Sequence, residues 1–312
     1  MYKFISRNRD KRKLHKSYIA LFKHDLDQKW GKFVANQPLL KKVLPQGMTP
    51  TKLFVAEFRK LVDVYFSYID YLNSLSVENK EIVNTTVKKF FNYDSHAGKI
   101  AKFLHDEYEI HNCVYCDSSK VSIFHHKRKE VRRFDIDHVL DKGTCPLTSL
   151  SLYNLVPSCK ICNNSPLKGR KTIGDTIEEI KHLSPTNPSY DFWHHVKFVI
   201  NPKFPNISNT PRVMYENEYE LDIEYYKDTT YAKSVNLFEL KDRYNTDFLH
   251  KALLYLDLKD KYTKRQILDM AKILGKTYDE VYEDIFKIKF DQTHHSLYRK
   301  AKEDILGITT FG

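Results

Sequence analysis

The sequence predicts a mainly α-helical protein that carries a small ββα module, clamped by a metal ion, in the middle of the chain. Three observations predict this class. Apolar residues recur at three- and four-residue steps on both sides of the centre, all five cysteines lie between residues 113 and 162, and a short alternating run of apolar and polar residues lies among them. We expect four regions: a basic tail and helical region over 1–110, the metal-clamped module over 111–183, a proline-rich linker over 184–212 and a C-terminal helical region over 213–312.

Helices are predicted by the spacing of apolar residues. Leu53, Phe58 and Tyr65 belong to one stripe that continues to residue 69, as on the buried face of a long helix. The same spacing recurs over 79–92, 96–108, 237–256, 264–274 and 278–286. With 312 residues, of which 41% are hydrophobic, the chain is long enough to bury a core in one large or two smaller domains.

The formal net charge of the chain is +11, and it is unevenly distributed. Residues 1–50 contain 12 Lys and Arg against 3 Asp and Glu, a net of +9, whereas residues 172–312 contain 20 against 23, a net of −3. A second basic strip lies between residues 120 and 133. Positive charge attracts polyanions, so nucleic acid is the expected partner, and a solvated charged face is the alternative interpretation.

Signals for export or membrane insertion are absent from the sequence. The first 25 residues lack the apolar core of a signal peptide, and no stretch approaches the roughly 18 apolar residues of a membrane span. We therefore expect a cytoplasmic protein without a membrane partner. In a reducing cytosol, clustered cysteines bind metal more often than they form disulfides.

Four of the cysteines form two Cys-x-x-Cys pairs, which is the spacing of zinc knuckles. Cys113 and Cys116 form the first pair, Cys159 and Cys162 form the second, and 42 residues lie between them. Because four thiolates leave no coordination position for water, we expect a structural zinc ion. Cys145 has no partner at this spacing and is expected to be a buried thiol.

The segment between the cysteine pairs predicts a strand, a turn, a second strand and a short helix. Residues 134–138 alternate apolar and polar side chains, so Asp135 and Asp137 are expected on one face of the first strand. Lys142-Gly143 supplies turn chemistry between the strands, and Ser158 is the predicted N-cap of the helix.

These motifs resemble the HNH endonucleases, a family with a ββα-metal fold. The resemblance rests on CVYC at 113–116, DIDH at 135–138 and NLVPSCKICN at 154–163, and it covers roughly 60 of the 312 residues. It implies a metal-dependent endonuclease that hydrolyses phosphodiester bonds of DNA, with double-stranded DNA as the expected substrate. It also implies Zn²⁺ at the four cysteines and Mg²⁺ or Mn²⁺ at the catalytic centre. The alternative is a zinc-stabilised module that binds nucleic acid or protein without catalysis.

The resemblance also implies roles for individual residues. Asp137 binds the catalytic divalent ion, His138 is the general base, and Asn154 orients the imidazole by a hydrogen bond. Asn163 completes the metal site, although the proline that follows interrupts the usual spacing and leaves Asn164 as the alternative ligand. General chemistry agrees, because a histidine near neutrality can accept a proton from water and a hard cation prefers oxygen ligands.

Cationic residues around the motif are expected to contact phosphate. They are Lys127, Arg128, Lys129, Arg132, Arg133, Lys168, Arg170 and Lys171. Asp135 is expected at the surface rather than among the metal ligands. The histidine pairs at 125–126, 194–195 and 294–295 lack ligand spacing and are expected to be exposed or capping residues.

The helical flanks look similar to those of effector nucleases in bacterial anti-phage defence systems, such as Septu-type and retron-associated ones. Such effectors work with a separate ATPase, which is therefore the expected protein partner. A restriction-type or homing endonuclease is the alternative, with sequence specificity in the flanks. The acidic-leaning C-terminal region is not expected to contact DNA.

Overall fold

The computed structural model describes residues 10–22, 25–108, 110–127, 129–207, 211–288 and 296–308. This part of the chain is mainly helical, with small antiparallel sheets of two strands each. It divides into two units, which are described separately. The N-terminal unit consists of Lys3–Val114 and Val121–Tyr190, and the C-terminal unit includes Tyr115–Lys120 and Asp191–Gly312.

Helices occupy the first hundred residues of the N-terminal unit. They are α1 (Lys11–Ile19), α2 (Leu26–Ala35), α3 (Pro50–Phe54), α4 (Phe58–Asn73), α5 (Val77–Phe91) and α6 (Tyr93–Tyr108). Ser76 caps the start of α5 through its hydroxyl, and Asn92 ends the helix in the left-handed region at φ 41°. The apolar stripe predicted as one long helix is divided between α3 and α4. The break lies at residues 55–57, and it places both Phe54 and Phe58 in the core.

Aromatic side chains fill the core between these helices. The ring centroids of Phe22 and Phe54 lie 4.5 Å apart, and those of Trp30 and Phe90 lie 4.8 Å apart. Tyr18 is fully buried, and its hydroxyl donates to the Leu150 carbonyl at 2.9 Å. The helical core therefore also anchors the 3₁₀ turn at Pro146–Leu150 in the second half of the unit.

Short strands and helices follow in the same unit. They are β1 (Ile123–His126), β2 (Lys129–Arg132), β3 (Asp135–His138), β4 (Leu155–Ser158), α7 (Lys160–Asn163) and α8 (Ile177–Leu183). β1 pairs with β2, and β3 pairs with β4, both antiparallel. The connection from β3 to β4 contains the turn residues Lys142-Gly143 and two 3₁₀ turns, Pro146–Leu150 and Leu152–Asn154.

The C-terminal unit combines one hairpin with a set of helices. Its elements are α9 (Phe192–His195), β5 (Val196–Pro202), β6 (Tyr219–Tyr225), α10 (Ala232–Leu237), α11 (Leu240–Asp247), α12 (Leu249–Lys261), α13 (Lys264–Leu274), α14 (Tyr278–Phe286) and α15 (Arg299–Leu306). The segment 184–212, predicted to be a linker, instead contains α9 and β5. Val196 and Phe198 alternate with more exposed residues, and this buries one face of β5.

The short segment Tyr115–Lys120 is held within the C-terminal unit by side-chain contacts. Tyr115 stacks on Phe238 with ring centroids 4.4 Å apart, and the Tyr244 hydroxyl donates to the Cys116 carbonyl at 2.7 Å. The backbone N–H of Tyr298 donates to the Asp117 carbonyl at 2.9 Å. None of the helices in the described part of the chain is long and apolar enough to cross a membrane.

Candidate metal centre and active site

The two predicted cysteine pairs come together in one cluster. The sulfur atoms of Cys113, Cys116, Cys159 and Cys162 all lie within 4.8 Å of one another, and all four residues are buried free thiols. Tetrahedral zinc with bonds of about 2.3 Å places its sulfur ligands about 3.8 Å apart, so the cluster has the size and the donor chemistry for zinc. The fifth cysteine, Cys145, is buried alone, and burial raises its pKa to about 12.

The backbone around the cluster favours thiolates. Cys159 is the N-cap of α7, and its sulfur accepts the Cys162 N–H at 3.5 Å. The structure thereby corrects the predicted N-cap at Ser158, which is instead the last residue of β4, opposite Asp135. The Cys159 sulfur takes the place of the predicted Ser158 hydroxyl as the N-cap acceptor, and this position at the start of α7 brings Cys159 to the cluster.

β3 turns its side chains to opposite faces of the strand. Asp135 and Asp137 lie on one face, and Ile136 and His138 lie on the other. Asp137 is only 2% exposed, and its Oδ1 lies 3.0 Å from the Lys168 ammonium, which is completely buried. The same ammonium donates to the His138 carbonyl at 2.8 Å. Lys168 therefore holds the charged end of β3 from inside the protein, and it is not available at the surface for the phosphate contact that the sequence predicts.

His138 is enclosed by a backbone carbonyl and an aromatic ring. Its Nε2 lies 3.0 Å from the Ser149 carbonyl, and the Tyr93 ring meets the imidazole edge-on with centroids 4.4 Å apart. Burial and, second, the nearby charge of Lys142 lower the pKa of His138 to about 3, so the imidazole is neutral at physiological pH. A neutral ring that donates from Nε2 to a carbonyl has its acceptor lone pair on Nδ1.

Asn154 acts on the loop after β3 and not directly on the imidazole. Its Oδ1 accepts the Leu140 N–H at 2.7 Å, and its Nδ2 donates to the carbonyls of Leu140 and Thr148 at 3.1 Å each. This side chain is fully buried. The predicted hydrogen bond to the imidazole is thus replaced by bonds that close the loop carrying the Ser149 carbonyl. Asn154 therefore contacts the backbone of the loop whose Ser149 carbonyl lies against His138.

Asn163, the last residue of α7, faces β3. Its Nδ2 lies 3.5 Å from Asp135 Oδ2, whereas Asn164 is exposed beyond the end of the helix. Asp135, expected at the surface, is half-buried at this contact. Three side chains with oxygen donors, Asp135, Asp137 and Asn163, therefore gather at one side of β3. They suit a hard divalent cation that keeps most of its water ligands.

Of the remaining cationic residues, those within the described part of the chain are exposed, and Arg128 lies outside it. Lys127, Lys129, Arg132 and Arg133 are exposed on or beside the β1–β2 hairpin. Arg170 and Lys171 are exposed as well, and Arg170 donates to Asp141 at 3.0 Å. Arg128 and most of the basic N-terminal tail, residues 1–9, lie outside the described residues.

Three of the four described histidines of these pairs are exposed, and His195 is half-buried with its Nδ1 2.9 Å from the Tyr226 carbonyl. His125 and His126 are exposed on β1, and His194 contacts Asp191 at 2.7 Å on the surface. The pair at 294–295 lies outside the described residues. Two contributors to the site were missed by sequence reasoning: the Ser149 carbonyl, which has no side-chain signal, and Tyr93, whose position resembles that of an ordinary core aromatic.

Comparison with models of known protein families, with curated proteins and with solved structures finds no match for this chain. The chemistry of the site therefore rests on its own residues.

Proposed function

We propose that this protein is a divalent-metal-dependent endonuclease with an HNH-type ββα-metal site, acting on double-stranded DNA. The observation that carries the proposal is the arrangement on β3. A buried neutral imidazole, held by a carbonyl at Nε2, lies next in sequence to Asp137, and α7 brings Asn163 to the same strand. This set of groups has the chemistry that phosphodiester hydrolysis requires.

His138 is the general base in this proposal. Donation from Nε2 to the Ser149 carbonyl fixes the tautomer, so that Nδ1 accepts the proton of the attacking water. Tyr93 and the loop closed by Asn154 keep the ring in one orientation. Burial of the ring lowers the pKa of His138 to about 3. An anionic phosphate beside the ring raises this pKa, because it stabilises the imidazolium that forms when the base accepts its proton.

Asp137 and Asn163, with Asp135 beside them, would hold the catalytic ion. When bound, Mg²⁺ or Mn²⁺ supplies positive charge to the scissile phosphate and to the leaving oxygen. Lys168 fixes one oxygen of Asp137 and donates to the backbone of His138, so it aligns the carboxylate with the base. The ammonium also compensates the buried carboxylate charge.

The four-cysteine cluster is proposed to be structural. Its zinc ion would have no free coordination position, and it would hold the loop of Cys113 beside β4, where the Val114 N–H donates to the Pro157 carbonyl at 3.3 Å. The cluster thereby fixes the hairpin that carries Asp137 and His138.

The proposal is tested by plasmid nicking with added Mg²⁺ or Mn²⁺. We expect His138→Ala to lower the nicking rate at least about a hundredfold, which is the usual contribution of a general base. His194→Ala, which removes an exposed histidine of the C-terminal unit, is the matched control and should cleave like the wild type. Equal nicking by His138→Ala and the wild type would contradict the proposal.

A second candidate function is a zinc-stabilised binding module without catalysis. The Lys168–Asp137 ion pair favours it, because an ammonium already occupies one oxygen of the proposed metal ligand. Such a module would bind DNA with Mg²⁺ or Mn²⁺ present and never nick it, whichever residue of β3 is changed.

We propose the cytoplasm as the site of action and defence against phage as the role, with a separate ATPase as partner. The net charge of −3 over residues 172–312 supports a protein partner for this region in preference to DNA. A pulldown from the native host tests this, and recovery of the protein without any ATPase would contradict it.

A further inference from the structure

The β1–β2 hairpin is a two-stranded ribbon with two different faces. Its strands join through a two-residue loop at 127–128, where Lys127 adopts the left-handed region at φ 45°. Cross-strand partners share a face, so His125 opposite Glu130 and Ile123 opposite Arg132 form the first face. The second face contains Phe124 opposite Val131 and His126 opposite Lys129.

The first face is tied to its own unit. Glu130 accepts the Lys102 ammonium of α6 at 3.1 Å, and the Arg132 guanidinium lies 5.6 Å from the Phe134 ring centre. These contacts tie the first face to α6 and to the start of β3, while the side chain of His125 on the same face stays 71% exposed. Neither contact involves a residue of the second face.

The second face combines an exposed aromatic ring with positive charge. Phe124 is 43% exposed, and His126 and Lys129 are exposed beside it. Among the described residues, none makes a side-chain hydrogen bond, an ion pair or a ring contact with these three side chains. The loop adds Lys127 and, in sequence, Arg128. An exposed ring within such a basic surface has the composition of a nucleic-acid contact.

We propose that the second face and loop of the β1–β2 ribbon enter the major groove of B-form DNA. A two-stranded ribbon fits that groove, which is about 12 Å wide, whereas the major groove of double-stranded RNA is too deep and narrow for side chains to read. Lys127 and Lys129 contact phosphates at the groove edges. Phe124 contacts the apolar groups of the groove floor, such as thymine methyls.

The ribbon is continuous with the proposed active site. Only Arg133 and Phe134 lie between β2 and β3, so Asp137 follows Arg132 by five residues, a span of at most roughly 18 Å. A duplex gripped by the ribbon therefore lies within reach of β3. The consequence for cleavage rests on the proposed nuclease function, whereas the binding mode can be measured without it.

The test measures binding of the full chain to fluorescent 25-base-pair duplexes without added Mg²⁺ or Mn²⁺, at several salt concentrations. The main variant combines Lys129→Ala with Lys127→Asn, because asparagine tolerates the left-handed backbone of the loop. We expect about tenfold weaker binding to DNA and a salt slope reduced by roughly 1.8, as for two lost phosphate contacts. Phe124→Ala should weaken binding several-fold without changing the slope.

The matched control is Lys89→Ala, which removes an exposed lysine from α5 in the same unit and should leave both affinity and slope unchanged. The groove is identified with two further probes. Bulky substituents at C5 of the pyrimidines project into the major groove and should abolish binding, whereas a minor-groove ligand should not compete. An unchanged slope in the double variant, equal binding of duplex RNA, or competition by the minor-groove ligand alone would overturn the inference.

The two proposals fail separately in these experiments. If the ribbon variants weaken DNA binding but the protein never nicks DNA, the nuclease proposal is wrong and the proposed groove contact stands. If nicking depends on His138 but the ribbon variants bind DNA like the wild type, the proposed groove contact is wrong and the nuclease proposal stands.

Discussion

The cysteine cluster and the polar face of β3, formed by Asp135 and Asp137, manage buried charge in different ways, although Cys159 and Cys162 lie just after β4, the partner strand of β3. The cluster gathers four buried thiols that could hold a metal ion such as zinc, whose charge would compensate theirs and whose ligands would all come from the protein. β3 compensates Asp137 with the ammonium of Lys168, and it leaves Asp135 and Asn163 half-buried beside the pair. The first arrangement is closed and suits a structural role. The second is partly open and suits chemistry.

This difference predicts opposite consequences of mutation. Damage to the cluster should unfold the hairpin and abolish every function together. Damage to the polar face should separate stability from activity, because some of its groups support the strand while others face the proposed substrate.

The largest effect is expected for Cys162→Ser. It removes one of four ligands from a buried site, and structural zinc in small domains contributes roughly 10–16 kcal/mol of binding free energy that is coupled to folding. We expect loss of bound zinc and loss of the thermal transition of the N-terminal unit. Metal content per chain and calorimetry measure the two quantities.

Cys145→Ala is the control for this experiment, because Cys145 is an equally buried thiol outside the cluster. It should retain one zinc ion per chain. A Cys162→Ser protein that binds as much zinc as the wild type would show that the cluster is not a four-thiolate site.

A smaller but still large effect is expected for Lys168→Met. The substitution keeps most of the length of the side chain and removes the ammonium that faces the buried Asp137, which costs roughly 3–5 kcal/mol in comparable buried pairs. Chemical denaturation measures this loss, and zinc binding should persist. Adding Asp137→Asn to Lys168→Met should recover part of the lost stability because the uncompensated charge is removed.

Lys171→Met provides the matched control three residues later. Lys171 is exposed and donates to the Pro166 carbonyl at 2.9 Å, so its loss should change stability by less than about 1 kcal/mol. If Lys168→Met and Lys171→Met were equally stable, the buried pair would not support β3.

The sequence predicts well those features that depend on local pattern. Thr263 and Thr277 are the N-caps of α13 and α14, each in a capping box, and the helix bounds of 264–274 and 278–286 coincide with the predicted apolar periodicity. The cysteine cluster could also be predicted, because Cys-x-x-Cys spacing presents two thiolates to one ion and two such pairs complete the coordination.

Features that depend on long-range partners could not be predicted. The sequence predicts a phosphate contact for Lys168, but its partners are Asp137 and a carbonyl thirty residues earlier in the chain. The sequence predicts a hydrogen bond from Asn154 to the imidazole, yet its amide matches the backbone groups of Leu140 and Thr148, which come together only when the loop folds. Residue type indicates that a polar side chain needs partners, whereas the fold decides which partners it finds.

The smallest effect on stability is expected for Asn154→Ala, and it is the one that best separates the stability of the hairpin from the activity of the proposed site. The change leaves the buried Leu140 N–H without its acceptor, which costs about 1–3 kcal/mol, while β3, β4 and the cluster remain intact.

In Asn154→Ala the loop no longer fixes the Ser149 carbonyl, so the His138 ring loses its orientation. We therefore expect zinc binding and the cooperative unfolding transition to persist, while nicking falls as far as it does in His138→Ala. The variant that combines Asn154→Ala with His138→Ala should nick no more slowly than either single variant, since Asn154 acts through His138. Nicking that falls further in the double variant would mean that Asn154 acts independently of the imidazole.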